Sequence, residues 1–432
     1  MAYESAFSRR SFIRSTALGT SMVAAATVSS RAFPILGAND RLQVGFLGIG
    51  IRGSQLLKPT VDSMADKVRV VAVCDGYTGY VQRAVQTVNG ACGTDPVAYG
   101  QFHKMLDDKN VEAVVIATPE HRHVEHVLMA LAAGKDVYVE KPLSHTIEEG
   151  PIMMAAQKKS GRIVQVGTQR RSSLIYQKAR EMVQAGMLGK VAQVRAFWHR
   201  NTLVPQWRYA IPDDASPQTA DWEAFLGPAP QRSWDASRYF QWRLYWDYSG
   251  GIATDLMTHQ IDGVHNVMSV SGPTDVYATG GIYQWNDGRE VPDTFNAILT
   301  YKSGFIVDYC SFFSNQHYGY GEQFLGSEGT LEVMNNRSLA FYPEKLTENG
   351  KDVTPERVKA RAAITLDAKD IGFPNEPTPV HLENFYDCVK SRKTPNCPLE
   401  IGDQAAVPCH LATKSLKERR PVRWDAAMRP IT

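Results

Sequence analysis

At 432 residues the chain is long enough for two or three domains and a large buried core. Its 47 basic and 45 acidic side chains leave a net charge of +2 with no long basic block, which excludes the electrostatic footprint of a nucleic-acid-binding protein. The six cysteines show no C-x-x-C or Cys/His spacing, so no metal centre is expected.

The chain begins with Ser8-Arg9-Arg10-Ser11-Phe12-Ile13-Arg14, then a modestly apolar stretch over residues 17–28. Paired arginines ahead of an apolar segment resemble a twin-arginine export signal, so residues 1–38 are set apart from the fold and a periplasmic or otherwise exported location is expected. The apolar run is too short and too rich in Ser, Thr and Ala for a stable membrane span in the mature protein.

Residues 42–53, LQVGFLGIGIRG, read as a buried strand running into a turn. Gly48, Gly50 and Gly53 give the G-x-G-x-x-G spacing: the first permits a tight turn, the second lets backbone approach a pyrophosphate, the third lets the next helix pack on the strand. The intervening Ile49, Ile51 and Arg52 supply N–H groups at a helix start, where an anion sits. A second β-branched run, residues 68–75, ends in Asp75, where a carboxylate binds a ribose 2′-hydroxyl and repels a 2′-phosphate. Gly76 and Tyr77 follow it with no adjacent Arg or Lys, which favours NAD over NADP.

Strand and helix signals then alternate: strands over 97–99, 111–118, 137–140 and 162–167, helices over 123–133 and 147–159. This predicts a doubly wound parallel sheet, an α/β Rossmann domain over residues 39–170. Pro119 and Pro142 end two strands at the carboxyl edge, where ligands of such sheets bind. From residue 190 the pattern changes to long alternating β runs over 191–199, 274–285, 294–301, 305–313 and 329–334. They predict an α+β domain over 171–380 with a large, open, mostly antiparallel sheet, interrupted by a Trp- and Pro-rich insertion over 201–248. Residues 381–432 form a tail with two helices expected against the first domain. Cys388, Cys397 and Cys409 are close enough in sequence to pair in an oxidising compartment, whereas Cys74 reads as a small core filler.

Three places carry chemistry: Glu140-Lys141-Pro142 at a strand end, residues 167–171 with Gln169, Arg170 and Arg171, and residues 250–262. In the last, Asp255, His259 and Asp262 fall at i, i+4 and i+7 of a helix and share one face. With the GIGIRG turn, Asp75, Ala117-Thr118-Pro119 followed by His123, Gly134-Lys135 leading to Glu140-Lys141-Pro142, the Gly-Gly before Asp255, and Gly326-Ser327-Glu328-Gly329-Thr330, the sequence resembles the glucose-fructose oxidoreductase, inositol dehydrogenase and rhizopine-catabolism (Gfo/Idh/MocA) family over residues 40–415.

The resemblance implies an NAD(P)-dependent sugar or polyol oxidoreductase, a homodimer or homotetramer built on the open sheet, and catalytic positions at Lys141, Asp255 and His259. Removing hydride from a sugar carbon requires a base for the hydroxyl proton; His259 suits that task, Lys141 the substrate oxygen, and Asp255 the orientation of imidazole and substrate. The cofactor would meet the glycine turn, Asp75, Thr118, Pro119, His123, Glu140, Lys141 and Gln169. Aromatic faces and guanidinium forks suit sugar rings, so the substrate is expected against Arg170, Trp207, Arg208, Tyr209, Trp246 and Asp262. Little NAD is free outside the cytoplasm, so an exported enzyme should hold its cofactor tightly and return it to its starting state. Ping-pong oxidoreduction does that, and so does glycoside hydrolysis by oxidation, elimination, hydration and reduction.

Overall fold

The computed structural model describes residues 41–425; the export-signal reading of residues 1–38 lies outside the described residues. Within them the strands form two large sheets and one short hairpin. The first sheet contains β1 (Leu42–Leu47), β2 (Val68–Cys74), β3 (Val97–Tyr99), β4 (Ala113–Ile116), β5 (Asp136–Val139) and β6 (Val164–Val166) in the order β3-β2-β1-β4-β5-β6, all parallel. Strands such as AVVI and DVYV are buried throughout because helices cover both faces. Helices Ile51–Ser63 and Thr78–Cys92 pack on one face through Leu56, Leu57 and Val88; His123–Ala132 and Glu149–Ser160 pack on the other through Val127, Leu131 and Met153. Chain order reverses between β1 and β4, opening a crevice at the carboxyl ends of the strands, where the glycine turn lies.

The second sheet runs β16-β13-β12-β11-β7-β10-β9-β8-β17. Its members are β7 (Val191–Asn201), β8 (Asp275–Gly281), β9 (Thr294–Tyr301), β10 (Phe305–Phe312), β11 (Ser314–Gly326), β12 (Gly329–Met334), β13 (Ser338–Pro343), β16 (Ile364–Asp367) and β17 (Val422–Arg423); β14 (Thr347–Glu348) and β15 (Lys351–Asp352) make the separate hairpin. Only β7 and β10 pair in parallel; the other neighbours are antiparallel. In β9, TFNAILTY, every second side chain is buried, which gives the sheet one packed face and leaves Ile298 exposed beside Tyr277 on the other. Helices Leu174–Gln184 and Thr258–Met268 cover the packed face.

The structure corrects several expectations. β11 and β13 are strands that the sequence pattern does not announce; β11 is polar and glycine-rich, yet lies between β7 and β12. Of the tail helices, Thr378–Ser391 packs on the first domain through Leu382 and Phe385, but Leu399–Glu418 bridges both cores, with Leu399 and Ala406 in one and Cys409 and Leu411 in the other. Cys388, Cys397 and Cys409 are free thiols, as are the remaining three cysteines. No helix among the described residues is long and apolar enough to cross a membrane.

The insertion does not stand apart as a cap. Asp221 N donates to Gly76 O at 2.9 Å, Thr78 N donates to Thr219 O at 2.9 Å, and His121 Nε2 contacts Phe225 O at 2.8 Å. The second domain thereby reaches back over the loop that follows β2. Trp222 stacks on Phe225 at 5.2 Å and meets Trp234 edge-on at 5.5 Å, so these two indoles pack the insertion itself.

Candidate active site

The glycine turn is built by steric necessity at two positions. Gly48 has φ 81°, and a Cβ there would lie 2.7 Å from the Ala117 carbonyl carbon; a Cβ on Gly53 would lie 1.9 Å from Gly48 O. Gly50 has open space instead. A Cβ there would come no nearer than 3.6 Å to a Tyr80 ring carbon, which leaves this stretch of backbone free for a pyrophosphate. Asp75 Oδ2 accepts from Ile49 N at 2.6 Å and Oδ1 from Tyr77 N at 2.8 Å, and burial pushes its pKa up to about 6. The acid therefore braces the turn as well as lining a cavity of about 310 Å³ beside it, with Pro119, Tyr80, Phe225 and Asp221 on its other walls.

A second cavity of about 250 Å³ shares Ala117, Thr118 and Trp242 with the first. Both domains line it: Ile51, Arg52, Thr118, His123, Glu140, Lys141 and Gln169 from the first, Trp198, Arg200, Tyr209, Arg243, Asp255 and His259 from the second. Lys141 and His259 thus face one cleft. Lys141 Nζ donates to Asp255 O at 2.6 Å and Oδ1 at 3.1 Å; Arg243 Nε donates to Oδ1 at 3.1 Å and Trp207 Nε1 to Oδ2 at 3.2 Å. Burial alone would raise the Asp255 pKa, but the Lys141 and Arg243 cations outweigh it and hold the carboxyl well below its ordinary range. Burial, reinforced by the Lys141 and Arg170 cations, holds the His259 pKa well below its ordinary value, so its imidazole is neutral.

Asp255 consequently positions Lys141, where sequence reasoning gave it to the imidazole and the substrate. It sits in a π-helical turn, Ala253–Met257, just before the helix Thr258–Met268, so ordinary 3.6-residue spacing does not apply across it. Asp262 turns away from the cleft and pairs with Arg171 at 2.6 Å.

The expected nucleotide contacts divide by role. Gly48, Gly50, Asp75, Thr118 and Pro119 line the first cavity, and Ile51, Arg52, Glu140 and Gln169 the cleft. Arg52 Nε donates to Glu140 Oε1 at 2.8 Å, tying the turn's helix to the end of β5. His123 lines the cleft while its ring contacts Pro142 O at 2.7 Å and Thr118 O at 2.9 Å, bridging the loops after β4 and β5.

Most of the expected substrate contacts are placed elsewhere. Arg170 is 1% exposed and pairs with Glu322 at 2.6 Å; Trp207 is buried with its N–H on Asp255; Arg208 is held by Asp287 at 3.1 Å and Gln241 at 2.6 Å. Trp246 carries Lys417 Nζ 4.2 Å above its ring and does not line the cleft; Tyr209 does. Sequence reasoning missed Trp198, Arg200 and Glu120 and did not select Trp242 and Arg243 from the aromatic insertion. For Trp198 and Arg200 a signal existed, because residues two apart on a strand share a face.

Glu120 stands out on the cleft wall. Its Oε1 accepts from Gly250 N at 3.0 Å and Thr254 Oγ1 at 3.1 Å, while its buried Oε2 has no partner among the described residues. Burial pushes its pKa from 4.5 up to about 7. The folded state keeps a proton that the unfolded chain gives up, so its contribution to stability is complete below pH 4.5 and is lost as pH rises through about 7. Glu120→Gln keeps the Oε1 acceptor and removes the charge. The variant is expected to melt above the parent at pH 8, with the gap closing below pH 4.5; a gap independent of pH would contradict the burial of this carboxyl.

Residues 42–168 match the oxidoreductase family described as GFO_IDH_MocA, NAD-binding Rossmann fold, and residues 180–423 match its C-terminal alpha/beta domain. The chain belongs to the Gfo/Idh/MocA oxidoreductase family. It is 31% identical over 168 residues to an inositol 2-dehydrogenase of Salmonella paratyphi B, covering 39% of this chain and 48% of that protein. The chain thus spans about half the length of such curated relatives. To the scyllo-inositol 2-dehydrogenase (NAD(+)) of Bacillus subtilis it is 23% identical over 400 residues, 89% of this chain and 97% of that one. A levoglucosan dehydrogenase structure, in complex with NADH and levoglucosan, shares the fold with a TM-score of 0.66 at 18% identity, covering 89% of this chain and 99% of that chain.

Proposed function

We propose that the protein oxidises a ring hydroxyl of a sugar or polyol by hydride transfer to a tightly held NAD. The observation that carries this reading is that Lys141 and His259, contributed by different domains, line one cleft continuous with the cavity at the glycine turn. The residues fit the cofactor: Gly50 leaves backbone open for the pyrophosphate, and Asp75 lines the adjoining cavity. Asp221, on the same cavity, adds a second carboxylate that opposes a 2′-phosphate, while the cavity's Arg122 is paired with Glu125 at 2.6 Å; together these support NAD over NADP. Bound NAD supplies the hydride acceptor. Neutral His259 takes the hydroxyl proton, Lys141 holds the substrate oxygen through its developing charge, and Asp255, itself held by Arg243, fixes the ammonium.

Tight retention is supported by the insertion, which crosses the loop after β2 and walls the first cavity with Asp221 and Phe225. It also suits an exported protein, the location that Arg9 and Arg10 support. A second reading, redox-neutral glycoside hydrolysis, is favoured by Glu120, a second buried proton-holding group on the cleft wall beyond the one base that oxidation requires.

The test mixes purified protein with monosaccharides, polyols and aryl glycosides while following nicotinamide absorbance and aglycone release. Reduced nicotinamide without aglycone release is expected. Release with no net reduction would replace the first reading by the second, and neither signal would remove both. Denaturing the same preparation is expected to liberate NAD; an empty protein would contradict retention.

A further inference from the structure

We propose that the substrate carries a carboxylate and that Arg200 selects it. This rests on the sugar-oxidoreductase reading of the cleft and names the class of sugar. Arg200 lies near the end of β7, two residues after Trp198, and both line the cleft. Its guanidinium sits 5.1 Å over the Trp198 ring, and Nη1 donates to Gln206 Oε1 at 2.9 Å; Gln206 Nε2 in turn donates to Thr202 Oγ1 at 2.9 Å. The side chain is thereby held in place before any ligand arrives.

The other cleft cations are matched by acids. Arg52 has Glu140 at 2.8 Å, while Lys141 and Arg243 share Asp255 at 3.1 Å each. Arg200 has no carboxylate in ion-pair contact among the described residues; its polar contact is the neutral Gln206 amide. Since two cations already share one carboxylate, the wall facing the substrate carries surplus positive charge. Glu120 does not fully offset it, because burial leaves that carboxyl partly protonated near pH 7. His259 is neutral and contributes no charge.

A planar guanidinium stacked on an indole presents its N–H groups as a fork that matches the two oxygens of a carboxylate. Trp198 lies 5.4 Å from the His259 ring, so an acid held by Arg200 sits on the same side of the cleft as the proton acceptor. The geometry suits a monosaccharide acid whose carboxylate and reacting hydroxyl belong to one molecule, as in a uronate. A neutral sugar would leave the fork to its hydroxyl groups, each a weaker partner.

The test uses the full chain loaded with NADH and measures binding by calorimetry. D-glucuronate and D-galacturonate are compared with D-glucose and D-galactose, and D-glucose 6-phosphate tests the alternative anion. At least one uronate is expected to bind roughly 10- to 100-fold more tightly than its neutral congener, the span of a charge-assisted hydrogen bond, with the preference shrinking as salt is raised. Arg200→Gln is expected to remove that preference and Arg200→Lys to keep part of it, the charge without the fork. Equal binding of acid and neutral sugars, no binding of either uronate, tighter binding of the phosphate, or an unchanged preference in Arg200→Gln would each overturn the proposal. The acid-to-neutral ratio and its salt dependence in the parent decide the question even if the variants do not fold. Tight uronate binding with no reduction of nicotinamide in the NAD form would sink the oxidoreductase reading while leaving the carboxylate assignment standing.

Discussion

Replacing Lys141 by Met is expected to lower turnover by roughly 10³-fold, within the range of losses for a positioned acid–base or oxyanion-stabilising group, while nucleotide binding stays close to that of the parent. Met keeps most of the side-chain volume and removes the ammonium held on Asp255. Asp255 does not become an uncompensated buried charge, because Arg243 Nε and Trp207 Nε1 remain at 3.1 and 3.2 Å, so the fold should survive. The glycine turn and Asp75 are untouched, which is why retained nucleotide can be read separately from turnover. A second signature follows from charge. Lys141 is one of the cations that depress the His259 pKa, so its removal should move the acid limb of the residual pH profile upward. Stopped-flow nicotinamide absorbance across pH measures both effects; unchanged turnover would take Lys141 out of the chemistry.

Arg170→Met is expected to cost stability. The Arg170 and Glu322 side chains are buried with their charged groups 2.6 Å apart, and Tyr176 Oη donates to the other carboxylate oxygen at 2.7 Å. Removing one partner of such a pair strands a buried charge, a loss of about 3–5 kcal/mol in comparable cases. Burial already pushes the Glu322 pKa up despite Arg170, and the variant should take up a proton there on folding. Its deficit should therefore shrink as pH falls toward the carboxylate range. The double variant Arg170→Met, Glu322→Gln should recover much of the loss. Denaturant unfolding at two pH values reads these outcomes. A stable Arg170→Met protein that has lost sugar binding would return Arg170 to the substrate, where its residue type alone would put it.

That misplacement shows what a sequence conceals. The first domain was legible because strands buried on both faces give unbroken β-branched runs, and because Gly48 and Gly53 have steric duties that no other residue performs. β11 was not, since SNQHYGYGEQFLG looks like a loop; Gly321 and Gly326 are there because Cβ atoms would strike Val333 O at 2.4 Å and Leu188 O at 2.1 Å. At the site, Lys141 was marked by its place just past a strand end and His259 by its place on the helix after Gly250-Gly251, and both line the cleft. Arg170 was legible only as a charge, because its partner lies 152 positions away. Asp262 shared a helix face with His259 on paper, yet its nearest cation, Arg171, lies 91 positions earlier and draws it out of the cleft. The π turn at Asp255 has no sequence mark beyond the Gly250-Gly251 pair before it.

In the proposed reaction a hydride passes from a sugar carbon to a resident nicotinamide between Lys141 and His259. Incubation with sugars deuterated at every carbon-bound position, followed by denaturation and mass spectrometry of the released nucleotide, tests it most directly. One deuteron on the nicotinamide is the expected result, appearing roughly 10³-fold more slowly in the Lys141→Met protein. Substrate conversion with unlabelled nucleotide would rule out that transfer.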